Sequence, residues 1–230
     1  MRRLNATLAA LMILAAGAAA TDLAALLKVE GHVEIQIEAE GAWAPAGAGQ
    51  VLADGQKLRT GRDGAAALIF LDDRSLLKLA EDTEVSFHGE REGRSVSKRV
   101  WMGAGQLWAR VTRAEDPHFQ VETPTSVASV KGSEFYSLEH PQRGNTLLAL
   151  TGRYSYANGH GEIEVVGGET GRSDGKSPPH SRPTEPGEVP GFGGEDGGAE
   201  GQEIRIEFTD EEGDRRVLVL PLVWPEEDVR

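Results

Sequence analysis

The 230-residue sequence contains no cysteine. No disulfide can therefore cross-link the fold, and no cysteine is present to carry a lipid anchor. A metal site would also have to do without thiolate ligands. The hydrophobic core must hold the folded chain together by itself.

Basic residues are scarce relative to acidic ones: 24 Lys and Arg against 37 Asp and Glu give a formal net charge of −13. Binding to nucleic acid or to anionic lipid requires a basic surface. The composition therefore argues against those partners and leaves cations and basic protein surfaces open. At 39% hydrophobic and 27% charged residues, the chain is typical of a soluble globular protein.

Long hydrophobic runs are absent beyond the N-terminus. Residues 1–20 have a basic start at Arg2 and Arg3, an apolar stretch shorter than the roughly 20 residues that a membrane span needs, and small residues before Thr21. These features predict a signal peptide that is cleaved after Ala20. We expect a periplasmic location, with full secretion as the alternative, and N-terminal sequencing of the exported protein should begin at Thr21.

Short apolar segments separated by turn residues make up most of the remaining chain. Residues 51–87 show this pattern most clearly, and residues 29–38 form an alternating strand that is expected to open the domain. About ten short strands and no amphipathic helix predict an all-β domain, either a sandwich or a solenoid-like coil of strands. The expected core positions are Leu68, Phe70, Leu77, Leu79, Val85 and Phe87.

Two sequence motifs resemble those of the FecR domain family. The first has a Gly-x-x-Leu-x-Thr-Gly element followed by an Asp-rich turn, and the second has Thr-Pro, an alternating strand and a Gly three residues before Phe. Asp73 stands where the family usually has Gly, and Lys131 and Ser133 are conservative departures. The motif residues are Gly55, Leu58, Thr60, Gly61, Asp72, Thr123, Pro124, Val130, Gly132 and Phe135.

The resemblance covers roughly residues 29–169 and implies a role in sensing or regulation. Regulators of the FecR type, such as those for iron-dicitrate, respond to siderophore uptake through a periplasmic FecR part. This chain resembles only that part, so it is similar to exported, stand-alone FecR-domain proteins. Gly132 is expected to adopt a positive φ or to allow another strand to approach closely.

The composition changes after residue 172. Residues 173–202 are rich in Gly, Pro and acidic residues and predict a flexible linker, so deletion of residues 181–198 should leave the melting temperature nearly unchanged. Residues 203–230 predict a C-terminal β-hairpin that docks on the main domain or on a partner. The expected organisation is a signal peptide (1–20), a FecR-like β domain (21–172), a linker (173–202) and the hairpin (203–230).

No catalytic or metal-binding pattern is visible, and no metal or cofactor is expected. The histidines are scattered, and no phosphate-binding loop occurs. The main hypothesis is a non-catalytic binding or sensing module whose partner is a protein or an envelope polymer. Its candidate binding residues are Trp43, Trp108 and Arg110, although a packed layer could equally bury Trp108. The alternative is an exported hydrolase or metal-dependent enzyme with a site assembled from distant residues.

Overall fold

The computed structural model describes residues 22–38, 40–92, 95–112, 119–190, 203–209 and 215–221, and the predicted signal peptide lies outside them. These residues form nineteen strands and no helix, which confirms the all-β prediction. The first nine strands are β1 (Asp22–Glu30), β2 (Val33–Gln36), β3 (Trp43–Pro45), β4 (Val51–Ala53), β5 (Lys57–Thr60), β6 (Ala65–Phe70), β7 (Leu76–Leu79), β8 (Glu84–Glu92) and β9 (Ser95–Arg110). The others are β10 (Phe119–Glu122), β11 (Val127–Val130), β12 (Glu134–His140), β13 (Gly144–Ala149), β14 (Arg153–Asn158), β15 (Gly161–Val166), β16 (Glu169–Ser173), β17 (His180–Pro183), β18 (Glu203–Thr209) and β19 (Arg215–Pro221).

Seventeen of these strands form two sheets that share one strand. Sheet A has the order β4-β1-β6-β7-β9-β12-β13-β16-β17, and sheet B has the order β3-β2-β5-β8-β9-β10-β11-β14-β15. All pairings are antiparallel except β9 with β10. Because β9 belongs to both sheets, the hydrogen-bond ladder is continuous and open, and it folds over onto itself.

The bend that carries β9 from one sheet to the other lies at Gly103 to Gly105. Before it, β9 pairs with β8, and after it β9 pairs with β7 and β12. The register shifts opposite the bend, between Glu84 and Val85, as in a β-bulge. Gly105 has a φ of +110°, a conformation that favours glycine, and a Cβ on it would lie 2.5 Å from the Thr83 Cα.

The hydrophobic core fills the space between the two sheets. Alternate residues of both sheets point into it, as the period of two in a strand requires. Phe70 of sheet A contacts Phe87 and Phe119 of sheet B edge to face, with ring centroids 6.4 and 5.5 Å apart. All six core positions predicted from the sequence are buried, and each such side chain contributes about 1.5–3 kcal/mol relative to exposure.

The start of the domain differs from the sequence-based expectation. The predicted single strand at residues 29–38 is wrong, because the chain turns at Gly31 and His32 and a longer strand, β1, precedes that turn. Residues 23–26 of β1 are buried between neighbouring strands. Their Leu-Ala-Ala-Leu sequence has no β-branched residue and continues the apolar leader, so nothing in the pattern indicates a strand.

The linker prediction is wrong for residues 173–190. Ser173 ends β16 and is buried, and β17 pairs with β16 along its whole length. Arg182 of β17 then forms a two-pronged hydrogen bond to the Glu188 carboxylate, at 2.7 and 3.0 Å, and Glu188 also accepts from the buried Thr170. Backbone pairing and ionic hydrogen bonds order this segment without much apolar burial. Residues 191–202 lie outside the described residues.

The Glu188 carboxylate should make this segment sensitive to acid. Burial raises its pKa, but the hydrogen bonds from Arg182, the Glu185 N–H and Thr170 outweigh burial and hold the pKa at about 2, below the ordinary 4.5. A carboxyl group whose pKa is lowered by folding stabilises the fold at any pH above its ordinary pKa. This stabilisation is lost as the pH falls from about 4.5 to about 2. We expect Glu188→Gln to lower the melting temperature at pH 7. The difference from the wild type should disappear near pH 2, and a pH-independent difference would contradict the assignment.

The C-terminal hairpin is present. β18 and β19 pair antiparallel from Glu203↔Pro221 to Thr209↔Arg215 and form a two-stranded sheet of their own. Cα atoms of β18 come within 8 Å of those of β1, so the hairpin lies beside sheet A.

Candidate functional site

The first FecR-like motif builds a corner of the sandwich. Thr60, at the end of β5, donates its hydroxyl to the Ala80 carbonyl (2.6 Å) and accepts the Thr83 N–H (3.0 Å). Leu58 is fully buried, and Gly55 makes the preceding turn with a φ of +82°. These residues fix the geometry of the turns and the core.

The Asp-rich turn between β6 and β7 has its left-handed residue at Arg74, with a φ of +61°. The motif resemblance predicts the family's glycine position at Asp73. Asp73 instead accepts the N–H and the hydroxyl of Ser75, at 2.9 and 2.8 Å. Such side-chain to backbone bonds stabilise tight turns. Ser75 in turn accepts the Thr112 N–H, so this turn is tied to the end of β9.

The second motif also shapes the backbone. Thr123 accepts the N–H groups of Thr125 and Ser126, which closes the turn at Pro124. Gly132 has the positive φ expected from the sequence, +133°. Phe135 is fully buried, with its ring 5.4 Å from that of Tyr154.

The three candidate binding residues do not form one site. Trp43 lies on the outer face of sheet B, half-buried, with the Arg59 guanidinium 4.2 Å above its ring. Trp108 and Arg110 lie on the outer face of sheet A, where Trp108 is only 3% exposed and donates its indole N–H to Glu134. Trp108 is therefore not an exposed aromatic contact. It is buried in a packed layer with Tyr136 and Leu148, as the alternative interpretation of the sequence allows.

Trp101 is 39% exposed, although it is not among the candidate binding residues predicted from the sequence. It points away from the core on β9, between the inward-facing Val100 and Met102, and packs beside Gly103, where a Cβ would clash with its ring. The alternation of residues 100–102 could have indicated this orientation.

Four strands lie at the edges of the two sheets within the described residues: β3 and β15 in sheet B, and β4 and β17 in sheet A. Strands β3 and β4 have three residues each, and β3 and β17 end in proline. Proline and short length both hinder the addition of another strand. Six-residue β15 contains no proline and pairs only with β14, so it is the edge best suited to receive a strand.

The orientation of the β15 backbone follows from one hydrogen bond. The Val166 N–H donates to the Glu169 carboxylate at 3.2 Å rather than to β14. By the period of two, the N–H and C=O groups of Glu162 and Glu164 also point away from β14. Both side chains are exposed on the outer face of sheet B, where Glu162 accepts the Ser155 hydroxyl and Glu164 pairs with Arg153. The open edge therefore offers backbone groups next to two carboxylates.

No cluster of three or more His, Asp or Glu side chains that could hold a metal ion occurs in the described part of the chain. The same residues include no helix long and apolar enough to cross a membrane. The fold defines an all-β domain of two facing sheets with an open edge.

Part of the chain matches a known protein family. Residues 56–155 match the model of the family described as FecR protein, which confirms the resemblance seen in the motifs. The match covers 100 of the 230 residues, so the similarity to a FecR domain is shown for residues 56–155. The matched region runs from β5 into β14 and contains both β9 and its bend.

Two solved structures, both of a protein described as a "putative anti-sigma factor" from Parabacteroides distasonis ATCC 8503, are similar to this chain. They are 15% and 16% identical in sequence, with TM-scores of 0.45 and 0.47. Each match covers 55% of this chain and 59% of the other, so this chain spans less than two thirds of that protein's length. No curated protein matches the sequence.

Proposed function

We propose that this protein is an exported, non-catalytic binding module of the bacterial cell envelope, which takes up an extended segment of a partner protein at the open edge of β15. The observation that carries this proposal is the six-residue, proline-free edge strand with its backbone groups directed outward. Strand addition of this kind uses main-chain hydrogen bonds for affinity and neighbouring side chains for specificity.

The charges beside this edge indicate the chemistry of the partner. Glu162 and Glu164 flank the open backbone groups, and the whole chain has a net charge of −13. A basic or neutral segment would therefore approach more readily than an acidic one. The signal-peptide pattern supports export, and the FecR domain supports a sensing or regulatory role.

A pair of substitutions at one position tests the edge. Glu164→Pro removes the outward N–H and should be tolerated in the fold, because proline is accepted on a strand edge. Glu164→Ala removes the same side chain and the same ion pair with Arg153 but keeps the N–H. We expect the proline variant to lose a partner captured from envelope extract by the wild type, and the alanine variant to retain it.

Circular dichroism and the melting temperature of both variants serve as the folding control. Retention of the partner by a folded Glu164→Pro variant would show that binding does not use this edge, and the exposed Trp101 would then be the next surface to change. Turnover of a peptide, glycan or ester by the purified wild type, lost on changing one His or Asp without loss of fold, would overturn the non-catalytic assignment.

A further inference from the structure

Lys98 is a charged side chain inside the sandwich. It lies on β9 and shares its face with Val96, Val100 and Met102, which all belong to the core. The residue is only 1% exposed, and lysine is almost never buried unless it is paired.

The Lys98 side chain crosses from sheet B to the turn between β6 and β7 of sheet A. Its Nζ lies 2.6 Å from Asp73 Oδ2 and 2.8 Å from Asp72 Oδ2. The ring of Phe70 lies 5.5 Å from Nζ, and Phe119 packs edge to face on that ring. One amine and two carboxyl groups therefore lie close together beside the ring of Phe70.

The charges at this site do not balance when all three groups are ionised, because one ammonium faces two carboxylates. Burial raises the pKa of Asp72, although the hydrogen bond and the charge of Lys98 act in the opposite direction. A proton held at Asp72 restores neutrality in surroundings that disfavour net charge. Asp72 is thus placed to carry a proton next to the other two groups.

We propose that the Lys98 amine and the Asp73 carboxyl group condense to an intramolecular isopeptide bond, with Asp72 as the proton carrier. Asp73 is the expected electrophile for two reasons. It makes the shorter contact with Nζ, and its two oxygens accept hydrogen bonds from the N–H and the hydroxyl of Ser75. Donors placed in this way polarise the carboxyl group and stabilise negative charge that develops on its oxygens during attack.

The reaction balances without any other reactant. The Lys98 ammonium first gives one proton to the pair of carboxyl groups formed by Asp72 and Asp73. The neutral amine then attacks Asp73 Cγ to form a C–N bond. One C–O bond of Asp73 breaks. The released oxygen leaves as water with two of the three ammonium hydrogens, one of them passed through Asp72. No atom is oxidised or reduced, and the product is a neutral amide between the two sheets.

The fold supplies what such a condensation lacks in solution. Holding the amine against the carboxyl group makes the step unimolecular, an advantage equivalent to a very high local concentration. Because Lys98 is only 1% exposed, bulk water is largely kept away from the amine. The side chains of Asp72 and Asp73 are 22% and 27% exposed, so the released water has a path to solvent.

Mass spectrometry of the folded, full-length chain tests the proposal directly. The wild type should be lighter than its sequence mass by one water molecule, and a protease digest should contain a branched peptide that joins Lys98 to Asp73. Lys98→Arg and Asp73→Ala should each have the full sequence mass. Asp72→Ala should form the bond more slowly or not at all.

The chain provides its own control. Lys28 and Glu30 also lie 2.6 Å apart, but the Lys28 side chain is 21% exposed, whereas that of Lys98 is 2% exposed, and the Lys28–Glu30 pair should show no cross-link. A full sequence mass for folded wild type after prolonged incubation would overturn the proposal and leave an ion pair only. A cross-link that maps to Asp72 would overturn the assigned roles. Because the wild-type mass is decisive, the test does not depend on the folding of any variant.

Discussion

Gly105→Val should strongly destabilise the domain and lower its soluble yield. A Cβ at this position would lie 2.3 Å from Thr83 Oγ1 and 2.5 Å from the Thr83 Cα, and the φ of +110° is strained for any residue with a side chain. Strain and overlap together should cost about 3 kcal/mol or more. For a domain of this size the melting temperature would fall by roughly 10 °C. Soluble yield and a thermal melt followed by circular dichroism measure the effect.

Gly47→Val is the matched control for this change. No atom lies within 4 Å of a Cβ placed on Gly47, and no positive φ constrains that residue. The control should therefore stay within about 0.5 kcal/mol of the wild type. If both valine variants melted like the wild type, the bend in β9 would not need a glycine.

Deletion of residues 181–198 should destabilise the domain, which reverses the expectation drawn from composition. The deletion removes most of β17, exposes the edge of β16, and removes both Arg182 and Glu188 from above the fully buried Thr170. Several hydrogen bonds worth about 1 kcal/mol each are lost, so we expect a loss of about 2–4 kcal/mol. The corresponding fall in the melting temperature is roughly 5–15 °C.

A shorter deletion, of residues 193–198, provides the comparison. These residues read Gly-Gly-Glu-Asp-Gly-Gly and contain no apolar side chain. Because no apolar side chain is removed, the free energy of unfolding should change by only a few tenths of a kcal/mol and the melting temperature should stay within about 2 °C of the wild type. Equal effects from the two deletions would show that the pairing of β17 with β16 contributes nothing to stability.

The sequence predicts the central part of this fold well, because there the apolar residues alternate and turn residues separate the strands. The strands around Leu68, Leu77 and Val85 follow this pattern, and the positive φ at Gly132 follows from its place between two apolar strands. Periodicity identifies the face of a strand that is buried. It does not report which strands become neighbours, so the sharing of β9 by both sheets could not be predicted.

The features that the sequence analysis missed depend on contacts between distant residues. Residues 174–190 look like a linker because their order comes from backbone pairing and from the Arg182 and Glu188 contact, and neither requires an apolar pattern. Nothing in the sequence around Trp108 indicates that Glu134, 26 residues away, accepts a hydrogen bond from its indole N–H. Lys98 looks like a solvated lysine next to a charged loop, since only the packed fold brings Asp72 and Asp73 to its amine.

The passage of β9 through both sheets also determines how force is transmitted across the domain. Two sheets joined only by loops could slide or separate one at a time, whereas here the same sixteen-residue strand is hydrogen-bonded to β8 and β10 at one end and to β7 and β12 at the other. A pull on the open edge at β15 would pass through β14, β11 and β10 into that strand, and from it directly into sheet A. Force applied at β15 would therefore reach sheet A through backbone hydrogen bonds alone, and we expect the two sheets to resist separation as one unit.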